Sequence, residues 1–163
     1  GLKALLLSTQ HFRPEDWRLL IVGKGKLSKY LEFAPANLRS QILHKEPIPD
    51  IEKYYSAADI FVLPSIYEPF GNANLEALAS ALPIITTRNC GSADIIQHGE
   101  NGLIVEIPES SQEIAENINI LFDPLLRKSM GQKGRALAEK FSMKKNTFEM
   151  LKTYQEIIAT QER

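Results

Sequence analysis

The chain has 163 residues, 44% of them hydrophobic and 24% charged, which is enough for one domain with a buried core. Nineteen basic residues against twenty acidic ones leave a formal net charge of -1, so there is no broad cationic field to hold a nucleic-acid backbone or an anionic membrane. A single cysteine, Cys90, excludes an internal disulfide and suits a reducing cytoplasm, His11, His44 and His98 lack metal-ligand spacing, and no apolar run approaches the roughly 20 residues of a membrane span.

In chain order, Gly1-Leu-Lys-Ala-Leu-Leu-Leu7 reads as a helix with Leu2, Leu5 and Leu6 on its buried side. Five short apolar runs, residues 19–22, 41–44, 60–63, 83–86 and 102–105, read as buried strands, and the crossovers between them are long enough for helices. Asp50 is placed to cap a helix carrying Ile51, Tyr54 and Tyr55, and Asn72 to cap one carrying Leu75, Leu78 and Ala79. Farther on, Ile114, Ile118, Leu121 and Phe122 recur at helical spacing. Asp123-Pro124 is a cap followed by an N1 proline for a helix with Leu126, Met130 and Leu137, and Phe148, Leu151, Tyr154 and Ile158 mark a last amphipathic helix.

Strands alternating with helices specify an α/β fold, a Rossmann-like doubly wound parallel sheet with ligands at the carboxyl ends of its strands. No repeat, low-complexity tract or linker divides residues 1–163, so the chain is expected to be one domain. Such a unit normally begins with a strand that lies mid-sheet, and none precedes the first helix. The first strand is therefore expected to be missing, leaving a sheet that is incomplete or completed by another chain. The alternative is that the fold simply opens with a helix or that Ala4 to Leu7 form that strand.

The chemistry concentrates in Pro64-Ser-Ile-Tyr-Glu68-Pro-Phe-Gly71-Asn72-Ala-Asn-Leu-Glu76, which follows a strand and enters a helix. Gly71 permits a tight turn, and the first free N–H groups of the helix, around Asn72 to Asn74, form an anion site suited to a diphosphate. Glu76 lies four residues beyond Asn72 on the same helical face, about 6 Å along the axis, where a carboxylate can meet the ribose of a nucleotide. Glu68 precedes the turn, on the side where a sugar on the outer phosphate would lie, and each carboxylate can accept from two adjacent hydroxyls. Gly23-Lys-Gly25 lacks the third glycine of a dinucleotide fingerprint and reads as a turn, with Lys24 and Lys26 solvated.

The whole phrase resembles the EX7E signature of GT4-like retaining glycosyltransferases with the two-domain GT-B fold. Residues 19–25, Tyr54 to Ser65, Leu82 to Thr87, Asp94 to Val105 and Phe141-Ser142 extend the resemblance over nearly the whole chain. It implies the C-terminal, donor-binding half of such an enzyme, with the acceptor-binding domain upstream and absent from this chain. By the resemblance Glu68 is the catalytic-site residue contacting hydroxyls of the donor sugar, and Glu76 binds the ribose. Backbone groups of Phe70, Gly71, Asn72 and Ala73 face sugar and diphosphate, with Asn74 and Leu75 completing the donor-binding segment.

The expected partners are a UDP- or GDP-sugar and a glycan, lipid-linked or small-molecule acceptor, with no nucleic acid and no metal or other cofactor. The setting is cytoplasmic, with association at the inner membrane face an open alternative. The pathway is lipopolysaccharide or other glycan synthesis. The family's phosphate-binding arginine and lysine would precede Gly1, so the fragment alone is expected to transfer no sugar. Ala81, Asp94 and Met143 depart from the family's usual glycine, glutamate and aromatic. A sugar-nucleotide epimerase of the same fold and a non-catalytic nucleotide-binding module remain the alternatives.

Overall fold

The computed structural model describes residues 1–161. Its elements are α1 (Leu2–Ser8), β1 (Leu19–Val22), β2 (Ile42–Lys45), α2 (Ile51–Ala57), β3 (Phe61–Leu63), α3 (Asn72–Ala79), β4 (Ile84–Thr87), β5 (Leu103–Val105), α4 (Ser111–Ile120), α5 (Pro124–Ala138) and α6 (Met143–Gln161). All five expected strands form, each within one residue of its expected bounds, and every pairing is parallel.

The central strand β4 is buried along its whole length, and its side chains alternate between two cores. Ile85 joins Ala4, Leu5, Leu103, Val105, Ile114 and Ile118 on one face, where α1 and α4 pack. Ile84 joins Tyr55, Ala77, Leu78, Leu82, Ile104 and Ala138 on the other, where α2, α3 and the end of α5 pack. Both faces of β4 and β5 are covered, as their continuous apolar runs require, whereas Leu20 of β1 and Leu43 of β2 remain exposed on one face.

The sheet is nevertheless divided. Strands β1 and β2 form one ladder and β3, β4 and β5 another, with β1 and β3 sharing no pairing. Between them runs an apolar slot of about 570 Å³, bordered by Leu5, Leu20, Val22, Ile60 and Val62 and reaching Ser65 and Ala73 at its carboxyl end. The segment Ala4 to Leu7, which could have been a strand, lies within helix α1. The expectation of an incomplete sheet is met in that sense.

Three expectations need correction. The β1–β2 crossover is a string of 3-10 turns, Leu27–Lys29, Leu31–Phe33 and Ala36–Gln41, rather than an α-helix. Pro35 explains part of this, because it lacks an N–H and drives Ala34 into the extended conformation seen there, with φ -92° and ψ 141°. Asp50 occupies the N-cap position of α2 but gives its side chain to Lys53 at 2.6 Å instead of to the helix. The stripe Phe148, Leu151, Tyr154 and Ile158 of α6 is exposed rather than packed against the described chain. The Asp123 cap forms as expected, accepting from Leu125 and Leu126.

Helix α3 ends in a Schellman turn in which the Leu82 N–H reaches the Ala77 carbonyl at 3.0 Å and the Ala81 N–H reaches that of Leu78 at 2.9 Å. This turn places Ala81 at φ 58°, a conformation that favours glycine because Cβ crowds the following carbonyl. Ala81→Gly should therefore raise unfolding stability by about 1 kcal/mol, read as an increased urea midpoint at unchanged slope.

Candidate functional site

The loop from Pro64 to Gly71 leaves the carboxyl end of β3 and is held almost wholly by the last residue of β4 and the chain that follows it. Thr87 Oγ1 donates to the Ser65 carbonyl at 2.5 Å and Asn89 Nδ2 to that of Ile66 at 3.0 Å. The Glu68 N–H donates to Asn89 O at 3.2 Å, while Gly91 and Ser92 donate their N–H groups to the Glu68 and Phe70 carbonyls at 2.9 and 2.8 Å. At Gly91 the two backbones are so close that a Cβ would lie 2.0 Å from the Pro69 carbonyl oxygen.

These bonds turn the loop's carbonyls inward. The N–H groups of Phe70, Gly71, Asn72 and Ala73 have no acceptor among the described residues, whereas the Asn74 N–H is taken by Gly71 O at 2.9 Å. The free donors thus run from Phe70 to Ala73 rather than from Asn72 to Asn74. Asn72 is also not the cap: Gly71, at φ 82°, is the N-cap residue and Asn72 is the first, exposed residue of α3. The chain must turn through a left-handed conformation there, which glycine adopts without strain. Four consecutive unpaired amides at a helix start, beside the positive end of the helix dipole, are chemically suited to an anion.

The side chains of the expected site divide by burial. Glu68 is partly buried and Glu76 is exposed. Asn74 is fully buried, its amide nitrogen donating to Ser92 Oγ at 2.7 Å and Thr86 Oγ1 at 3.0 Å, while its carbonyl oxygen lacks a partner. Leu75 packs toward the core formed by Ala77 and Leu78. Asn74 and Leu75 therefore turn their side chains inward and present only backbone to a ligand. Lys24 and Lys26 are exposed in the turn after β1, at the same carboxyl edge.

Two features escaped the sequence reading. Tyr55 donates its hydroxyl to Glu76 Oε2 at 3.1 Å, although the Tyr54-Tyr55 pair lay inside a quoted motif. Beside Glu68 lies a polar cleft of about 310 Å³ formed by Tyr67, Arg88, Asn89 and Asp94. Arg88 forks onto Glu106 at 2.6 and 3.1 Å, which holds the Glu106 carboxyl below its ordinary range through that hydrogen bond. No spacing rule links Arg88 to Glu68, because the turn after β4 brings them together.

Gly71 is the point where turn and packing meet, since a Cβ there would sit 2.7 Å from Cys90 Sγ and 3.2 Å from Leu63 Cδ2. Gly71→Ala should destabilise the domain by about 1–3 kcal/mol in urea denaturation. Cys90→Ala in the same chain should return part of that loss by removing the closest contact.

A family model described as "Glycosyl transferases group 1" matches residues 1–137. The chain is 30% identical over 145 residues to an uncharacterized glycosyltransferase of Methanocaldococcus jannaschii, covering 87% of this chain and 41% of that protein. Among solved structures, it is similar to a sucrose-phosphate synthase from Thermosynechococcus elongatus with a TM-score of 0.85 and 26% identity, over 98% of this chain and 43% of that one. It also resembles in fold HepE of Anabaena, solved in complex with UDP, with a TM-score of 0.84 and 21% identity, over 96% of this chain and 45% of that one. The fold is thus that of the C-terminal domain of GT-B glycosyltransferases, and the chain spans less than half the length of each of these three proteins. With a family model covering most of its length, the chain belongs to the glycosyl transferases group 1 family.

Proposed function

We propose that this domain holds the nucleotide diphosphate sugar in a retaining glycosyltransferase, which moves the sugar from a UDP- or GDP-sugar to an acceptor hydroxyl. The supporting observation is the run of unpaired N–H groups from Phe70 to Ala73 at the start of α3. An array of that kind suits the diphosphate, and it matters most when the glycosidic bond breaks and negative charge grows on the leaving group. Donors already fixed by the β4 turn need not reorganise at that moment, so they lower the barrier by preorganisation. The binding of UDP by HepE, which shares the fold, agrees with this reading.

On this proposal Glu68, just before the array, accepts from hydroxyls of the donor sugar and orients it. Glu76, about 6 Å along the helix axis from Asn72, accepts from the ribose. Asn74 and Leu75 shape the segment from within. The scheme calls for no divalent metal, since amides and helix dipole meet the charge. The acceptor would be supplied from outside these residues. Among the described residues no helix is long and apolar enough to cross a membrane. We place the reaction in the cytoplasm, in lipopolysaccharide or other glycan synthesis.

The two glutamates give separable outcomes in the intact protein. Glu76→Ala should weaken binding of free nucleoside diphosphate about 10- to 150-fold, the worth of a lost charged hydrogen-bonding group. Glu68→Gln should leave that affinity nearly intact while kcat/KM for the sugar donor falls, because the sugar is no longer aligned. Calorimetric titration with UDP and GDP, together with donor-saturation kinetics, reads both effects. Equal loss of nucleotide affinity in the two variants would refute the division of sugar and ribose between them.

A further inference from the structure

Tyr55 lies on α2, only 8% exposed, among Ala77, Leu78 and Leu82. Its ring meets Phe61 of β3 edge-on, with centroids 5.5 Å apart and planes at 80°. Its hydroxyl donates to Glu76 Oε2 at 3.1 Å, and Tyr55 is the only side-chain partner of that carboxylate among the described residues. A glutamate on an exposed helix face otherwise samples several rotamers, and ordering such a side chain on binding lowers affinity. Here the packing fixes the ring, the ring fixes the hydroxyl, and the hydroxyl fixes one carboxylate oxygen. The second oxygen is left to accept from a ligand.

We propose that Tyr55 is a positioning residue for the nucleotide ribose, holding the Glu76 carboxylate in its ligand-accepting orientation before the nucleotide arrives. This rests on the assignment of Glu76 to the ribose. The arrangement also ties the ribose ligand, through Phe61, to the strand that leads into the Glu68 loop. Burial first, then the hydrogen bond to Glu76 and its charge, push the Tyr55 phenol well above its ordinary pKa, so it stays a donor at neutral pH.

The test is a double-mutant cycle in the intact protein with Tyr55→Phe and Glu76→Ala, singly and combined. The substitution to phenylalanine keeps the ring and its stacking, and thermal unfolding of each variant monitors the fold. Dissociation constants are measured for UDP and GDP and for inorganic pyrophosphate, which has phosphates but no ribose. Tyr55→Phe is expected to weaken whichever nucleoside diphosphate binds by about 3- to 10-fold, leave pyrophosphate unchanged, and have no effect once Glu76 is alanine. A loss of the same size in the alanine background, or an equal loss for pyrophosphate, would show that Tyr55 serves only the fold and would overturn the proposal. If Glu76→Ala weakens the nucleotide and Tyr55→Phe does not, the positioning role alone fails. If Glu76→Ala leaves the nucleotide unaffected, the ribose assignment fails first and takes this proposal with it.

Discussion

The first N–H groups of a helix have no acceptor within it, so where such donors sit depends on how the loop leading into the helix is held. In this domain the end of β4 and the turn after it do the holding. Thr87, Asn89, Gly91 and Ser92 together engage the carbonyls of Ser65, Ile66, Glu68 and Phe70, while the N–H groups of residues 70–73 meet no acceptor among the described residues. The placement of both glutamates follows from that arrangement. Glu68 is fixed by its pairing beside Cys90, and Glu76 by the direction in which α3 leaves Gly71.

The holding chain is itself secured by the core. Strand β4 contributes side chains to both hydrophobic clusters and supplies Thr86 to a fully buried polar group with Asn74 and Ser92. Cys90 joins this group by donating to the Phe70 carbonyl at 3.2 Å. Buried hydrogen bonds of this kind are short of solvent competition and costly to break, so they specify one loop geometry rather than several. Asn74 thus acts on the loop from within, its enclosed side chain joining the start of α3 to β4 and the turn after it.

The divided sheet adds a second constraint. The apolar slot between β1 and β3 opens beside Ser65 and Ala73, so its carboxyl end and the anion array share a border. Strand β3, which borders the slot, also carries Phe61 against Tyr55 and leads into the Glu68 loop. Packing along the slot and the orientation of the Glu76 carboxylate are therefore linked through β3 and Tyr55.

Much of this was legible in the sequence because it is local. Apolar runs bounded by turn residues gave the strands, as β4 shows with all four residues buried, and Asp123-Pro124 marked a helix start that forms as read. The glycine before Asn72 likewise marked the start of α3, which is the segment between Glu68 and Glu76 where the candidate site was read, since a helix start is fixed by a few neighbouring residues. The sequence could not decide which residue capped α3, because Gly71 and Asn72 both suit a helix start, and only the folded chain shows Gly71 in the left-handed turn with no room for a Cβ beside Cys90 and Leu63. Nor could it place Tyr55 on Glu76 or Arg88 beside Glu68, separated by 21 and 20 residues in the chain and joined only when α2, α3 and the β4 turn pack together. Local pattern determined which segment turns into a helix start between two carboxylates, and long-range packing decided which amides stay free and which partner each carboxylate meets.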